Sequence, residues 1–317
     1  MKILQNSDKT EYIKSLGVKT LLIINNDGIP IFNFHFAEDS LLKQNLLVLS
    51  SFFSAFNSFA EALLLSYLSD FGIEDQRLFY KYYSDFFFII GIDSNIYSNK
   101  SFYDMRELVD IMLWQLSQEF AYMFDDQLKD LKSYELHDHI AKHLQEQLIS
   151  HMYQGCIDWV ENIGRKISTV SRILEIPDIT TLNNEDLATK LGLEAAYVLR
   201  GDIVVYQQIF NQAIKVDGDL LSSLFRAIDS FSSTQFGLVL KEIGLFNQRL
   251  FYKHFEKEIY LFLVNDLLFY KHSTTDTEKI INSMIDHMIP QLKSHIKVVE
   301  QEKTDEDIFK RVLDFEI

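Results

Sequence analysis

Histidines with the spacing of a metal site occur together in one stretch of this chain. His139 and His143 are four residues apart, His137 comes just before them, and His151 follows two helical turns later. On a helix, His139 and His143 would share one face and could share one metal ion. No carboxylate is specified to complete such a site, and Gln and charged residues surround it. The pattern favours a solvated helical face, with a metal or pH-sensing site as the alternative, and we predict no bound metal.

The motifs that mark common enzyme classes are missing. The sequence has no G-x-x-x-x-G-K-[ST], G-x-G-x-x-G, H-E-x-x-H or G-x-S-x-G stretch. The single cysteine, Cys156, lies on the apolar stripe of a predicted helix, which favours an inert buried thiol over a nucleophile. A lone cysteine also excludes an intrachain disulfide and is typical of a reducing compartment. We therefore predict a protein that is not an enzyme, with no catalytic residues and no cofactor.

Basic side chains recur in the hexapeptide QRLFYK, which occurs twice, 172 positions apart. The first copy contains Arg77 and Lys81, and the second contains Arg249 and Lys253. Alternate residues of a strand share a face, so each arginine shares a face with its lysine. Their long stems could cover apolar surface, or both copies could present a positive strip to an acidic partner. These four residues are our candidates for partner binding.

The hexapeptide is the end of a longer internal duplication. Residues 49–81 and 221–253 align without gaps and are identical at 15 positions. Unrelated segments of this composition would share on the order of two or three, so the chain contains a repeat. Four phenylalanines recur in corresponding pairs on the apolar side of a predicted helix and are expected in the core: Phe53 with Phe225, and Phe59 with Phe231.

The composition limits the kinds of partner. The formal net charge of −16 argues against nucleic acid, because binding to phosphates depends on Lys and Arg. A hydrophobic content of 47% with only 3 prolines is typical of globular structure, and 317 residues suffice for about two domains. Charged residues interrupt every apolar run, and the first residues do not have the pattern of a secretory signal. We expect a cytoplasmic protein that reaches membranes only through a partner.

The hydrophobic pattern predicts the same order of elements in both copies: a short helix, two strands, a helix, three strands and a closing helix. In the first copy the predicted strands are 18–25, 29–36, 64–71, 76–83 and 86–92, and the helices are 9–16, 40–62 and 103–131. In the second copy the strands are 195–199, 203–210, 236–243, 248–255 and 259–264, and the helices are 185–191, 219–232 and 276–296. A further helix is predicted over 134–163.

This order of elements resembles the longin and roadblock superfamily. The residues that carry the resemblance are LLIINNDGIPIF, SFFSAFNSFAEAL, QRLFYKYY and FFFIIGID in the first copy, and AYVLRGDIVVY, SLFRAIDSF, QRLFYKHF and EIYLFLVND in the second. The resemblance implies an α/β (α+β) fold of two units, each a five-stranded antiparallel sheet with flanking helices, and a habit of pairing into two-fold platforms. The corresponding domains are 1–132 for repeat one, 133–183 for a helical connector, 184–297 for repeat two and 298–317 for a charged, amphipathic tail.

Members of this superfamily bind small Ras-like GTPases and serve in exchange factors, activators and trafficking complexes, without cofactors of their own. The resemblance therefore implies a cytoplasmic platform for a small GTPase, with pairing to a second copy or to a related protein left open. Because Lys257 and Glu258 replace Asp85 and Phe86 at corresponding positions, we predict one GTPase per chain, contacted asymmetrically across both repeats.

Two other classes of function stay open. PAS and GAF domains also combine a five-stranded sheet with flanking helices, so a sensory or ligand-binding module is one alternative. Such a module needs a cavity with convergent polar groups, whereas these repeats are rich in Phe, Leu and Ile. A purely structural scaffold is the other alternative.

Overall fold

The computed structural model describes most of the chain as a mixed α/β fold built on one large antiparallel sheet. The described residues are 6–38, 50, 52–54, 56, 68–73, 75–97, 102–124, 138–166, 182, 184–201, 203–211, 218–236, 240–245, 248–265 and 274–314.

Strands of both repeats belong to this sheet. The strands of the first half are β1 (Val18–Asn25), β2 (Pro30–His35), β3 (Leu68–Ile73), β4 (Gln76–Tyr83) and β5 (Phe86–Asp93). Those of the second half are β6 (Leu193–Arg200), β7 (Ile203–Ile209), β8 (Leu240–Leu245), β9 (Gln248–Phe255) and β10 (Glu258–Asn265).

The helices are α1 (Asn6–Ser15), α2 (Phe102–Phe124), α3 (Asp138–Lys166), α4 (Asn184–Leu191), α5 (Gly218–Phe236) and α6 (Thr274–Asp314), with a 3-10 helix at Ser94–Tyr97. Residues 50, 52–54 and 56 are also helical, whereas the rest of the helix predicted over 40–62 lies outside the described residues. Helix α6 extends beyond the predicted end at 296, so the segment predicted as a separate tail continues the helix as far as Asp314. Among the described residues, no helix has both the length and the apolar character needed to cross a bilayer.

The strand order is the same from either outer edge of the sheet. The strands lie side by side in the order β2-β1-β5-β4-β3-β8-β9-β10-β6-β7. The three strands of each half that lie nearest the centre of the whole sheet correspond at an offset of 172 residues, as β3 with β8, β4 with β9 and β5 with β10. The first residues of α2 and α6 are also 172 positions apart. The two copies of the hexapeptide therefore begin corresponding strands, β4 and β9.

The core has two layers, one on each face of the sheet. Alternate residues of a strand point to opposite faces, so Phe79 packs among residues of α2 while Leu78 and Tyr80 pack on the opposite side. Strand β5 pairs with β1 and β4, and its residues from Phe87 to Ile92 are buried. This confirms the prediction that this apolar strand is central and covered on both faces.

Helix α3, which the sequence places in the connector, packs on the first half. The Tyr12 ring of α1 lies 5.3 Å from the Tyr153 ring of α3, and Lys9 Nζ donates a hydrogen bond of 2.6 Å to Ser150 Oγ. The apolar stripe of α3, from Leu144 to Trp159, is buried in the same core layer as α2. The first half therefore includes one more helix in its core than the duplicated pattern predicts.

Two of the predicted core phenylalanines, Phe53 and Phe225, are buried as expected. Phe59 and the side chain of Phe231 lie outside the described part. The strand predicted over 236–243 begins later, at Leu240, because residue 236 still belongs to α5. It also extends to Leu245, because its pairing with β3 continues to that residue.

Candidate functional site

The repeated hexapeptides begin beside the junction where the two halves of the sheet meet. Strands β3 and β8 are antiparallel, and Phe71 lies opposite Ile243, its counterpart 172 residues away. An approximate twofold axis between the halves therefore passes between these two residues. On either side of them an acidic residue lies opposite a glycine, which gives the pairs Asp70–Gly244 and Glu242–Gly72.

Four charged side chains meet across this junction: Asp70, Arg77, Glu242 and Arg249, here called the junction cluster. Arg249 donates two hydrogen bonds to Asp70, with distances of 2.9 Å from Nη1 to Oδ1 and 3.0 Å from Nη2 to Oδ2. Arg77 also donates to Asp70 and pairs with Glu242. Arg249 Nη1 lies 3.4 Å from Glu242 Oε1. Each arginine thus contacts a carboxylate of the other half.

The junction cluster is buried, and glycine makes room for it. The side chains of Asp70 and Arg249 are 0% exposed, and those of Arg77 and Glu242 are 8% exposed. A Cβ atom on residue 244 would lie 2.2 Å from Asp70 Oδ2, closer than any real contact of that kind. The glycine opposite Asp70 is therefore required by the carboxylate that crosses over it.

The electrostatics keep Asp70 and Arg77 ionised at neutral pH. Burial alone would raise the pKa of Asp70, but the Arg249 and Arg77 guanidinium groups outweigh it and hold the pKa well below its ordinary value. Burial lowers the pKa of Arg77 to about 10, although Asp70 acts in the opposite direction. Two arginines and two carboxylates balance one another, which is how buried charges are tolerated.

This geometry corrects the idea of an exposed positive strip for two of the four candidate residues. Arg77 and Arg249 are buried and their charges are engaged with carboxylates, so they do not present a steering charge to a partner. The other interpretation, in which only the aliphatic part of each arginine covers apolar surface, is also incomplete, because the guanidinium groups of Arg77 and Arg249 are themselves buried. The sequence does contain a signal for this cluster, since an acidic residue, a glycine two positions later and an arginine seven positions later occur in both repeats.

The other two candidates, Lys81 and Lys253, are partly exposed and contact the same position of the helix that covers their half. Lys81 Nζ lies 4.3 Å from the centre of the Trp114 ring of α2. Lys253 forms an ion pair with Asp286 of α6. Trp114 and Asp286 are counterparts 172 residues apart, so the two lysines occupy equivalent places with different chemistry.

Those of the predicted histidines whose side chains the structure describes do not form a site with the cysteine. His143 is exposed and His151 Nε2 lies 3.4 Å from Glu119 Oε1, while His137 and the side chain of His139 lie outside the described part. Within the residues that the structure describes, no three metal-binding side chains are grouped as a site. Cys156 is buried, its thiol donates to the Met112 sulfur at 3.5 Å, and burial raises its pKa to about 12. Cys156 is therefore buried in the core on the apolar side of its helix, as the sequence predicted.

A cleft lies beside the junction cluster on the side of the second half. It has a volume of about 470 Å³ and is lined by Arg77 and Glu242, by Phe251 of β9, and by Ile281 and Ile285 of α6. The cleft thus combines an apolar wall with the edge of the buried charges.

Comparison with protein families finds no match to the chain, and comparison with curated proteins finds none either. Its function is therefore inferred from the residues and their geometry.

Proposed function

We propose that the chain is a non-catalytic interaction platform, built from two longin/roadblock-like units fused in one polypeptide, that binds a small Ras-like GTPase. The observation that carries the proposal is the continuous sheet, in which two five-stranded halves meet edge to edge about an approximate twofold axis. The resemblance implies antiparallel five-stranded units that pair into two-fold platforms, and this arrangement supports it.

A platform must hold its binding surfaces in a fixed relation, and the junction supplies that rigidity. The β3–β8 pairing joins the halves through backbone hydrogen bonds. The junction cluster adds buried, charge-assisted hydrogen bonds that are short and directional. A slip of the pairing would remove each carboxylate from the glycine opposite it, so the register is strongly specified. The helices α2 and α6 are thereby offered to a partner in one geometry.

Binding to purified GTPases tests the proposal. The full chain is titrated with each Ras-like GTPase of the source cell, loaded either with GDP or with a non-hydrolysable GTP analogue, in a calorimeter. We expect one GTPase per chain and an affinity that depends on the bound nucleotide. A nucleotide-binding protein of another fold serves as the negative control. Failure to bind any of the GTPases in either nucleotide state would contradict the proposal, and two identical sites per chain would contradict its asymmetry.

The cleft favours one second candidate, a ligand-binding module of the PAS or GAF kind. Its volume of about 470 Å³ falls in the range of small-molecule sites, and it has both apolar and polar lining residues. Thermal unfolding in the presence of pooled metabolites tests this candidate. Replacing Ile281 by Trp, which would fill the cleft, should abolish any stabilisation that a metabolite causes. If no metabolite shifts the unfolding midpoint of the unmodified chain, the ligand-binding role is excluded for the compounds in the pool.

A further inference from the structure

We infer that the cleft beside the junction cluster binds a small organic cation, whose guanidinium or ammonium group meets Glu242 and Glu278 and whose apolar chain lies along β9 and α6. The bound cation takes the place that a guanidinium of the chain itself has in the first half. The inference rests on the second candidate function, the ligand-binding module, and names its class of ligand. It does not depend on the binding of a GTPase.

The first half of the chain supplies this cation from α2. The side chain of Arg106 is only 16% exposed, and its Nε lies 3.7 Å from Asp110 Oδ2. Against the effect of burial, Arg106 adds to Arg249 and Arg77 in holding the pKa of Asp70 below its ordinary value. The acidic residue that the first half contributes to the junction is therefore accompanied by a guanidinium from the helix that covers it.

The second half has an acid in the place of that arginine. Glu278 of α6 is the counterpart of Arg106, and Asn282 is the counterpart of Asp110, each 172 residues later. Both Glu278 and Asn282 are exposed and line the cleft. With the described residues Glu278 forms no ion pair, although its charge acts on Arg77 from a greater distance. The cleft therefore opens where the first half has a largely buried guanidinium, and it carries a negative charge there.

The two junction carboxylates differ in the same direction. Arg249 donates to both oxygens of Asp70, and Ser69 Oγ donates a further hydrogen bond of 2.8 Å to Oδ2. Both arginines of the junction cluster contact Glu242 at Oε1, and no hydrogen bond from a described residue reaches its Oε2. The Glu242 side chain is only 8% exposed, so an oxygen without a donor costs free energy. A donor on a ligand in the cleft would supply the missing bond.

The other charged residues around the cleft do not oppose a cation. The charge of Arg77 is neutralised within the junction cluster, and Lys253 forms an ion pair with an aspartate of α6. Alternate residues of a strand point to opposite faces, so Lys241 and His254, whose neighbours in the strands face the cleft, point away from it. On that opposite face His254 Nε2 lies 3.5 Å from the carboxylate of an aspartate of α5. Glu278 is therefore the charge that a ligand in the cleft has to match.

The remainder of the cleft suits an apolar chain. Phe251, Ile281 and Ile285 are on its wall, and its volume of about 470 Å³ has room for a short alkyl chain beside the charged group. A guanidinium fits the acidic side best, because its planar fork of donors bonds to carboxylates through two parallel hydrogen bonds. The ligand class is therefore the alkylguanidinium compounds, with alkylammonium compounds as weaker ligands.

Titration of the full chain with butylguanidinium tests the inference, with butylurea as the neutral control of the same shape. Calorimetry at constant ionic strength measures both. We expect one saturable site per chain for butylguanidinium. Butylurea should bind at least about 10-fold more weakly, because hydrogen bonds between a cation and a carboxylate are roughly twice as strong as neutral ones.

Substitutions of Glu278 locate the bound cation. Glu278→Arg places the residue of the first half in the cleft and should abolish binding of butylguanidinium. Glu278→Gln removes the charge alone and should weaken binding about 3-fold or more, as is usual for a partly solvated ion pair. The control Glu11→Gln makes the same change at an exposed glutamate of α1 and should leave the affinity within about 2-fold. An unchanged thermal midpoint shows that each variant is folded.

The outcomes separate this inference from the proposed functions. Equal binding of butylurea and butylguanidinium would overturn the cationic class of ligand, while the ligand-binding module would stand. Unchanged binding in Glu278→Arg would show that the cation binds elsewhere and would overturn the assignment to the cleft. Absence of saturable binding of butylguanidinium would overturn the inference altogether. The titration with GTPases and the metabolite pool are separate measurements, so none of these results decides the two proposed functions.

Discussion

The two halves of the sheet share one strand order but differ in how their helical face is covered. In the first half, α3 lies against α2, and it comes so close at Gly155 that a Cβ there would be 3.3 Å from Ile111 Cγ2. Gln115 of α2 donates a hydrogen bond of 3.1 Å to Asp158 of α3. In the second half, the counterparts of Ile111 and Gln115 are Ser283 and His287, on the surface of α6.

The comparison teaches that duplicated elements diverge according to their neighbours. Where α3 covers the helix, Ile111 packs against it and Gln115 bonds to it, and where nothing in the described part of the chain covers it, Ser283 and His287 occupy the same positions. His287 of α6 forms a hydrogen bond of 2.9 Å with Gln291 on the same helix, so this surface satisfies its own polar groups. Strands β3 and β8 had less freedom at the junction, because Phe71 and Ile243 are buried on one face and the junction cluster is buried on the other.

The largest predicted effect is a difference in how much stability the two arginines of the junction cluster contribute. Arg249→Met leaves Asp70 and Glu242 with a single buried cation, and we expect a loss of about 3–5 kcal/mol in the free energy of unfolding. Arg77→Met should cost less, because Arg249 keeps both of its bonds to Asp70 and water can reach the site of Arg77. Urea unfolding measures both, with the exposed Arg226→Met as control. Equal losses would show that the halves contribute equally to the junction.

A similarly large effect is predicted in the core layer that contains Phe53 and Phe225, where substitutions in the two halves should have similar effects. Phe53→Ala and Phe225→Ala each remove a buried ring, and each should lower the free energy of unfolding by about 3–5 kcal/mol. The ring of Phe53 packs 5.6 Å from that of Phe71, and the ring of Phe225 packs 4.6 Å from that of Tyr252. Chemical denaturation of the two variants gives the values. A loss near zero in either half would mean that its helix does not contribute to the core.

The glycines opposite the acidic residues should differ in their tolerance of a methyl group. Gly244→Ala places a Cβ against Asp70, which both arginines hold, whereas Gly72→Ala places one 2.9 Å from Glu242 Cγ. Because the longer Glu242 side chain can turn aside, we expect Gly244→Ala to cost about 1–3 kcal/mol and Gly72→Ala less. The midpoints of urea unfolding decide this. If Gly72→Ala lowers the free energy of unfolding more than Gly244→Ala does, then Glu242, and not Asp70, is the carboxylate that cannot move aside.

Acid should reveal the contribution of Asp70. Its pKa is lower in the folded chain than its ordinary value of 3.8, so the unfolded chain binds this proton more readily. The stability contributed by Asp70 is therefore complete well above pH 4 and is lost as the pH falls below about 4 toward the folded pKa. Unfolding free energies measured from pH 6 to pH 2 should fall less steeply for Asp70→Asn than for the unmodified chain. Parallel curves would mean that the arginines do not depress this pKa.

The smallest effects are predicted for the two exposed lysine contacts. Lys81→Ala and Lys253→Ala should each change the free energy of unfolding by less than about 1 kcal/mol, as is usual for surface ion pairs and cation–π contacts. The coupling of Lys253 to Asp286 should depend strongly on salt, because Asp286 carries a full opposite charge, whereas the coupling of Lys81 to the uncharged Trp114 ring should not. The Asp110 carboxylate also acts on Lys81, and it stays in place in every variant of that cycle. Double-mutant cycles with these two partners at low and high salt measure the difference. A coupling of equal size and equal salt dependence in both halves would contradict it.

Local sequence patterns predicted the strands well. Strands β4 and β9 have the predicted bounds, and β5 and β10 differ from prediction by at most one residue at each end. The strand predicted over 64–71 is β3, Leu68–Ile73, and ends two residues later because its pairing with β4 continues to Ile73. Such strands are fixed by their own composition and by the turns beside them. The assignment of Cys156 to a packed helix stripe was correct for the same reason, because helical period alone decides which side is apolar.

Contacts between distant residues could not be predicted in the same way. Asp70 and Arg249 are 179 residues apart, and an isolated Asp in a predicted strand is compatible with a solvent-facing position. Only the pairing of β3 with β8 brings the two side chains together. The packing of α3 on α2 was missed because an apolar stripe shows that a helix is covered but does not identify the covering element.

The position of Arg249 also has a consequence for synthesis. At ribosomal rates, roughly 10–35 s separate the appearance of Asp70 from that of Arg249. During this interval β3 is the edge of an unfinished sheet, where an unpaired strand can join the wrong neighbour. Asp70 and Arg77 belong to the same half and pair with each other, so the edge carries inward-pointing charges that discourage such contacts until β8 arrives. We expect nascent chains that end before residue 240 to aggregate faster on release when both residues are replaced by Leu.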